Sequence, residues 1–356
     1  MFRRFENLVD PFQPFEAHTP PRTLWAYLKT QYGPFRKVLV WLAFSGALVA
    51  LIEAGLIFYS GRVVDLLSVT PASEFWSTHG LELLLAAAFI LLLRPMAITL
   101  NHLLLDQTLA SNMQDQVRWR AHKHLLGQST SFFQNDFAGR LTNRVMQMGP
   151  AVEDSTYMAF EGIWFSVTYV LGALIVLGET DYRLAIPLAI WLAIYMLYVR
   201  SVALRVASAS EKTSDARSMV TGRVVDAYAN IESVKLFASG DREERYVQSA
   251  MRRHRLRFQR FLRLMTELSL SLTVLNGLLI VGVLGPARWL WTAGIVTVGE
   301  VAAASALTIR LNGMSGWISW VTIRLFEHSG VIREGLRSIA HAHTVTDRQE
   351  APRLQV

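Results

Sequence analysis

The sequence has no cysteine in its 356 residues. That excludes a disulfide framework, a thiolate metal site and a cysteine nucleophile. It also contains no G-x-x-x-x-G-K-[ST] run, so it offers no phosphate loop for a nucleoside triphosphate. No short-period repeat and no low-complexity segment is present. Charge is sparse at 18% of residues, while 52% are hydrophobic and the mean hydropathy is +0.28. The apolar residues fall in long uncharged runs, the pattern of membrane helices. The start of the chain does not read as a cleavable signal, because residues 1–21 are polar and carry Pro11, Pro14, Pro20 and Pro21, and the first apolar run begins near Val38. A formal charge of +7 invites a nucleic-acid reading. The basic residues instead bracket apolar spans, as membrane topology requires, so no nucleic-acid partner is expected.

Crossing a bilayer core of about 30 Å takes roughly 20 helical residues. Six segments qualify: Val38–Ser60, Leu81–Leu105, Thr156–Gly178, Leu184–Val206, Phe261–Leu284 and Val301–Ile323. Runs of this length point to helices, since barrel strands are about ten residues of strict alternation. Lysine and arginine set the orientation. Residues 65–80 have none, and the connections 179–183 and 285–299 have only Arg183 and Arg288. Between spans two and three lie Arg118, Arg120, Lys123, Arg140 and Arg144, and a longer basic series from Arg217 to Arg257 separates spans four and five. Both long connections and both termini are therefore expected on the cytoplasmic side of an integral inner or plasma membrane.

Helical character runs from Leu81 to about Ser129 with only Pro95 and Gly127 as breakers. That is roughly 70 Å of helix, over twice the bilayer core. The stretch from Leu184 to about Ala229 is similar. Past the bilayer its apolar positions narrow to one stripe, Val220, Val224, Val225, Tyr228, Ile231 and Val234, which suits packing in a bundle. Two helical hairpins are thus expected to reach below the membrane. Pro21 to Lys37 reads as an interfacial helix with Leu24, Trp25, Leu28 and Tyr32 on one face. The expected organisation is an N-terminal segment 1–37 with this elbow, a six-span domain 38–325, and a cytoplasmic helix and linker 326–356.

Two local patterns carry a resemblance. One is Ser131-Phe132-Phe133-Gln134-Asn135-Asp136-Phe137-Ala138-Gly139-Arg140-Leu141-Thr142-Asn143-Arg144, and the other is Asp226-Ala227-Tyr228-Ala229-Asn230-Ile231-Glu232-Ser233-Val234-Lys235-Leu236-Phe237. In order and spacing within a six-span frame they resemble the type I ATP-binding-cassette exporters. Arg140 stands where family members usually have an acid, and Asn230 where they have glycine. Thr297-Val298-Gly299-Glu300 is similar to the family's outer turn before the last span. The resemblance covers about Thr23 to Thr346 and implies an all-α membrane protein with the type I exporter fold. It implies an ATPase domain as partner, in the same polypeptide or a separate subunit, and a second transmembrane domain to complete a homo- or heterodimer. ATP and Mg would sit on that ATPase domain, since this sequence has neither the phosphate loop nor a Leu-Ser-Gly-Gly-Gln signature. It further implies that the hairpin tips couple to the ATPase through Ser131, Phe132, Phe133, Gln134, Phe137, Gly139 and Arg144 at the first tip, and Arg223, Asp226 and Lys235 at the second.

Charges inside spans are costly unless they face a partner or a wet cavity. Arg94 and Arg310 lie inside spans two and six, with Asn101, His102 and Asn312 near them in sequence. One reading makes these five an anion-attracting cavity lining. The other pairs the arginines with Glu53 or Glu161 as structural locks. Gly46, Ala50 and Ala54, four apart on span one, form a face for close helix packing. His122 with His124, and His341 with His343, are spaced i,i+2 and point apart, so no metal site is expected. Nor does any Ser/His/Asp grouping emerge. The expected function is solute export by alternating access. Its rivals are an ATPase-independent secondary transporter, which would show paired midplane helix breaks in two related halves, whereas the possible breaks Pro95 and Pro187 do not fall at matching places, and a non-transporting assembly subunit, which would lack a polar cavity lining.

Overall fold

The computed structural model describes residues 2–15, 19–134, 138–237 and 240–344, without the side chains of Gln134, Ala138, Gly139, Arg140, Asn143, Ala207 and Ser218. The described residues form helices α1 (Phe2–Glu6), α2 (Leu24–Tyr32), α3 (Arg36–Val69), α4 (Phe75–Leu126), α5 (Thr130–Gln134), α6 (138–180), α7 (Tyr182–Ala229), α8 (Ile231–Leu236), α9 (Gly240–Thr292) and α10 (Val298–Ile339). No strand occurs among them. Three π-helical segments interrupt the α geometry: Phe89–Leu93 and Leu103–Ala110 within α4, and Ala159–Trp164 within α6.

Five helices are long and apolar enough to cross a membrane: α3, α4, the part of α6 from Arg144 to Thr180, α7 and α9. The sixth expected span lies within α10, a single helix of 42 residues. It falls short on apolarity because Arg310, Asn312, Gly313, Gly316 and several serines dilute it. Helices α3 and α9 both run beyond their apolar runs, to Val69 and Thr292. Gly294, at a φ of 72°, turns the chain between α9 and α10, a conformation that residues with a Cβ rarely adopt.

Two compact units divide the chain. The first comprises the described residues of Met1–Leu56, Leu66–Gly172 and His328–Val356. Its core joins three stripes. Helix α4 buries Leu105, Leu109, Met113, Val117, Ala121 and Leu125, α6 buries Leu141, Val145, Met148 and Val152, and α10 buries Ile332, Leu336 and Ile339. Positions four apart share one helix face, so the spacing explains which side is buried. The elbow α2 docks here through Tyr27 and Leu28 while Trp25 stays exposed. The face expected to hold Leu24, Trp25, Leu28 and Tyr32 together is thus split. Gln116 and Arg120 of α4 fix α2 by donating to the carbonyls of Gln31 (3.0 Å) and Thr30 (3.1 Å). The small face on α3 also packs inside this unit. Ala50 and Ala54 are buried, and a Cβ on Gly46 would lie 3.5 Å from the Trp164 ring.

The second unit comprises Ile57–Asp65 and Ala173–Glu327. Its backbone is the long pairing of α7 with α9. Leu184, Leu188, Trp191, Tyr195, Val199, Val202 and Val206 on α7 are buried, as are Leu268, Leu272, Leu279, Val283, Ala287 and Leu290 on α9. A polar network sits among them. The Tyr195 hydroxyl donates to the Ser315 carbonyl (2.7 Å), and Asn276 Nδ2 donates to the Ser315 hydroxyl (2.6 Å). Helix α7 passes through Pro187 without interruption.

Candidate functional site: two helical tips and the charges within the spans

The first tip follows Gly127, where α4 stops. The Ser129 carbonyl accepts from the Phe132 amide (3.0 Å), and one helical turn, α5, forms. Ser131 shares a hydroxyl hydrogen bond with Ser129 (2.9 Å). The Phe132 and Phe133 rings meet edge to face, with centroids 5.5 Å apart. Phe132 packs onto the core of the first unit and lies 6.0 Å from the His341 ring, whereas Phe133 remains 39% exposed. Of these two rings, Phe133 is therefore the one open to a partner. Gln134 ends α5, Gly139 lies in the first turn of α6, and Phe137 falls outside the described residues. Arg144 turns into its own unit: Nε donates to Glu334 (3.0 Å) and the guanidinium also donates to the Ser338 hydroxyl (2.9 Å).

Residues 222–230 lead into the second tip. Those residues are the last turns of α7, and the separate short helix is α8 beyond them. At the junction Asn230 has φ −108°, so the glycine usual in the family pattern is not required here. The Asn230 backbone N–H and its Nδ2 both donate to the Asp226 carbonyl (3.1 and 2.9 Å). Arg223 faces back onto α9, its guanidinium 3.8 Å from the Tyr246 ring centroid and 2.7 Å from the Ser249 hydroxyl. It joins α7 to α9. Asp226 and Lys235 are exposed. Around them Tyr228 is 72% exposed, and Leu236 and Phe237 are each 82% exposed. The stripe expected to pack in a bundle divides accordingly: Val220, Val224 and Val234 are half-buried, but Val225, Tyr228 and Ile231 are open. A cluster of exposed large apolar groups marks an interaction surface. Leu236 and Phe237 escaped selection in the sequence although they close the second pattern; two bulky apolar residues after a polar short helix were the available signal.

Inside the first unit, Arg94 Nε donates to Glu53 Oε1 at 2.7 Å. That is the structural pairing rather than a free cation. Asn101 is buried and its Oδ1 accepts from the Ser45 hydroxyl (2.8 Å), which ties α4 to α3. His102 is exposed with Nδ1 3.4 Å from Asp106. The two basic groups expected to attract anions here each have a carboxylate beside them. Arg310 and Asn312 belong to the second unit, where both are exposed. Among the described residues neither side chain has an ion-pair or hydrogen-bond partner. No group of three or more His, Asp or Glu side chains that could hold a metal occurs among the described residues.

Long apolar helices that outrun a bilayer and end in exposed apolar tips define a multi-pass, all-helical membrane domain of the transporter type. Residues 39–314 match the ABC transporter transmembrane region, and the chain belongs to that family. It is 32% identical over 356 residues to a Haemophilus influenzae protein described as an uncharacterized ABC transporter ATP-binding protein, of which it spans 58%. It also shares the fold of a bacterial Atm1-family ABC exporter solved with ATP bound. The TM-score there is 0.70 at 19% identity, over 90% of this chain and 57% of that one.

Proposed function

We propose that the chain is the permease part of an ATP-driven exporter that carries a solute out of the cytoplasm by alternating access. The observation that carries this reading is the second tip. A 48-residue helix is far longer than a bilayer needs, and its last turn with the short α8 beyond it leaves Tyr228, Leu236 and Phe237 exposed. Such an end is suited to docking, and the family supplies the class of partner, an ATPase domain.

ATP and Mg belong to that partner, because this sequence offers no phosphate loop for them. Nucleotide binding would favour one arrangement of the paired ATPase domains, and the tips would pass that preference to the helices. A second transmembrane domain, identical or related, completes the pathway, and both tips and both termini lie on the cytoplasmic side. Arg310 and Asn312, exposed and uncommitted, are the side chains best suited to meet a solute. Asp226 and Lys235 flank the apolar docking cluster, and Phe133 offers the smaller contact at the first tip.

The test is Tyr228→Ser with Phe237→Ser in the assembled transporter, reconstituted in vesicles. Substrate-stimulated ATP hydrolysis should fall about tenfold, the loss of one strong contact, with insertion and melting unchanged. Unaltered stimulation removes the docking role. Phe133→Ala should produce a smaller loss of the same kind.

A further inference from the structure

Residues 341–344, after α10, pack against the first tip, where His341 and His343 meet His124 of α4 in a cluster that the proposed function does not use. His343 stacks on His124, with ring centroids 4.5 Å apart and planes 21° from parallel. The hydrogen bonds interlock. His124 Nε2 donates to the His341 carbonyl (3.0 Å), and His343 Nε2 donates to the His124 carbonyl (2.8 Å). Gln128 donates to the same His341 carbonyl (2.9 Å), and the Thr344 hydroxyl reaches Ser129 (3.2 Å). His341 also lies beside Phe132, so the clasp touches α5 itself. The fit requires Gly127, since a Cβ there would come within 2.7 Å of the His343 ring.

We propose that His124, His341 and His343 form a proton-sensitive clasp, which holds the segment after α10 against the first tip when neutral and releases it when charged. A neutral imidazole can donate through Nε2, and all three do so here, His341 to the Arg337 carbonyl (3.0 Å). Charging His124 and His343 together would put two like charges in one ring stack. Among the described residues no carboxylate pairs with His124, whose charged neighbours are the two other histidines, and Glu334 of α10 is taken up by Arg144. Residues 341–344 bring only the two other histidines, and residues 129–132 bring no titratable group. On α4, Lys123 lies over the Phe15 ring. Arg144 of α6 is engaged with Glu334 and Ser338 of α10, and Arg337 contributes its carbonyl.

Burial holds the His124 imidazole below its ordinary value, and the positive forms of His343 and His341 act in the same direction, against a smaller upward pull from the His341 and Ile339 carbonyls. The sign follows. His124 holds its proton less readily in the docked state than in the released one, so docking weakens as pH falls below the ordinary histidine value of about 6.5. The inference goes beyond the exporter reading, and its readout is a distance, so either can fail alone.

The absence of cysteine in this sequence allows spin labels at Leu126→Cys and Ala342→Cys, both exposed and apart from the clasp's own contacts, in the membrane-reconstituted protein. From about pH 8 to about pH 5.5 the population at short label distance should fall at least about threefold. Gly127→Ala, at an ordinary helical φ of −81°, should lack the short distance at both values. The triple variant His124→Gln/His341→Gln/His343→Phe should not respond to pH. Overturning results are an equal short-distance population at both values in the parent, an unchanged distribution in Gly127→Ala, or a pH response that survives the triple variant.

Discussion

Asp65 at the end of α3 caps the start of α10 through Gly299: its Oδ1 accepts from the Gly299 amide at 2.7 Å. Oδ2 accepts from the Thr297 hydroxyl at 2.7 Å. The Glu300 carboxylate returns to the Thr297 amide (2.7 Å) and the Thr297 hydroxyl accepts from the Glu300 amide (3.1 Å), a reciprocal capping box. The backbones are close enough that a Cβ on Gly299 would lie 2.0 Å from the Gly61 carbonyl oxygen.

Asp65→Ala should therefore cost about 1–3 kcal/mol, because it leaves two donors at a helix start without their charged acceptor. Gly299→Ala should cost more, since the opposing atom is backbone and cannot rotate away. Thermal unfolding in detergent measures both. A shift of less than about 0.5 kcal/mol for Asp65→Ala means water replaces the carboxylate without loss.

Glu53 and Arg94 form an ion pair within the spans, so removing one partner strands the other. Glu53→Gln should destabilise by about 1–3 kcal/mol, and Arg94→Met by a similar amount, since the pair is only part-buried. The double variant Glu53→Leu/Arg94→Met should recover most of this loss, because it removes both charges and leaves neither without its partner. A double-mutant cycle of unfolding energies tests it. Additive losses would mean that the two residues act independently, and Arg94 would return to the cavity reading.

The six runs of apolar residues were legible because lipid imposes a length and excludes charge, and each became helix. Their ends were less legible. Beyond Ser60 and Leu284 the helices α3 and α9 continue, and apolarity does not report that. Glu53 was recognisable as a partner for Arg94, since an acid and a base both lay inside spans, but choosing it over Glu161 depends on helix rotation. The Asp65–Gly299 contact joins residues 234 positions apart, and the His124–His343 stack joins residues on different segments. No periodicity marks such pairs. The tips show a related difficulty. Phe132 and Phe133 look alike in sequence, and only packing against the core separates a half-buried ring from a more open one.

Arg144 is the clearest case of a residue whose motif and contacts point apart. The family pattern places it in the coupling segment, yet its guanidinium joins the start of α6 to Glu334 and Ser338 on α10. Next to that joint a Cβ on Gly335 would lie 2.2 Å from Met148, a residue with no exposed surface. A partly exposed ion pair with one added hydrogen bond should contribute about 1 kcal/mol, so Arg144→Ala should lower the melting temperature by only a few degrees. Gly335→Ala should cost about 1–3 kcal/mol, because buried Met148 has to repack. Arg144→Ala with Glu334→Ala should lose less than the sum of the single losses by about 0.5 kcal/mol or more. Strictly additive unfolding energies, together with weaker ATPase docking in Arg144→Ala alone, would return this arginine to the partner and break the joint between α6 and α10.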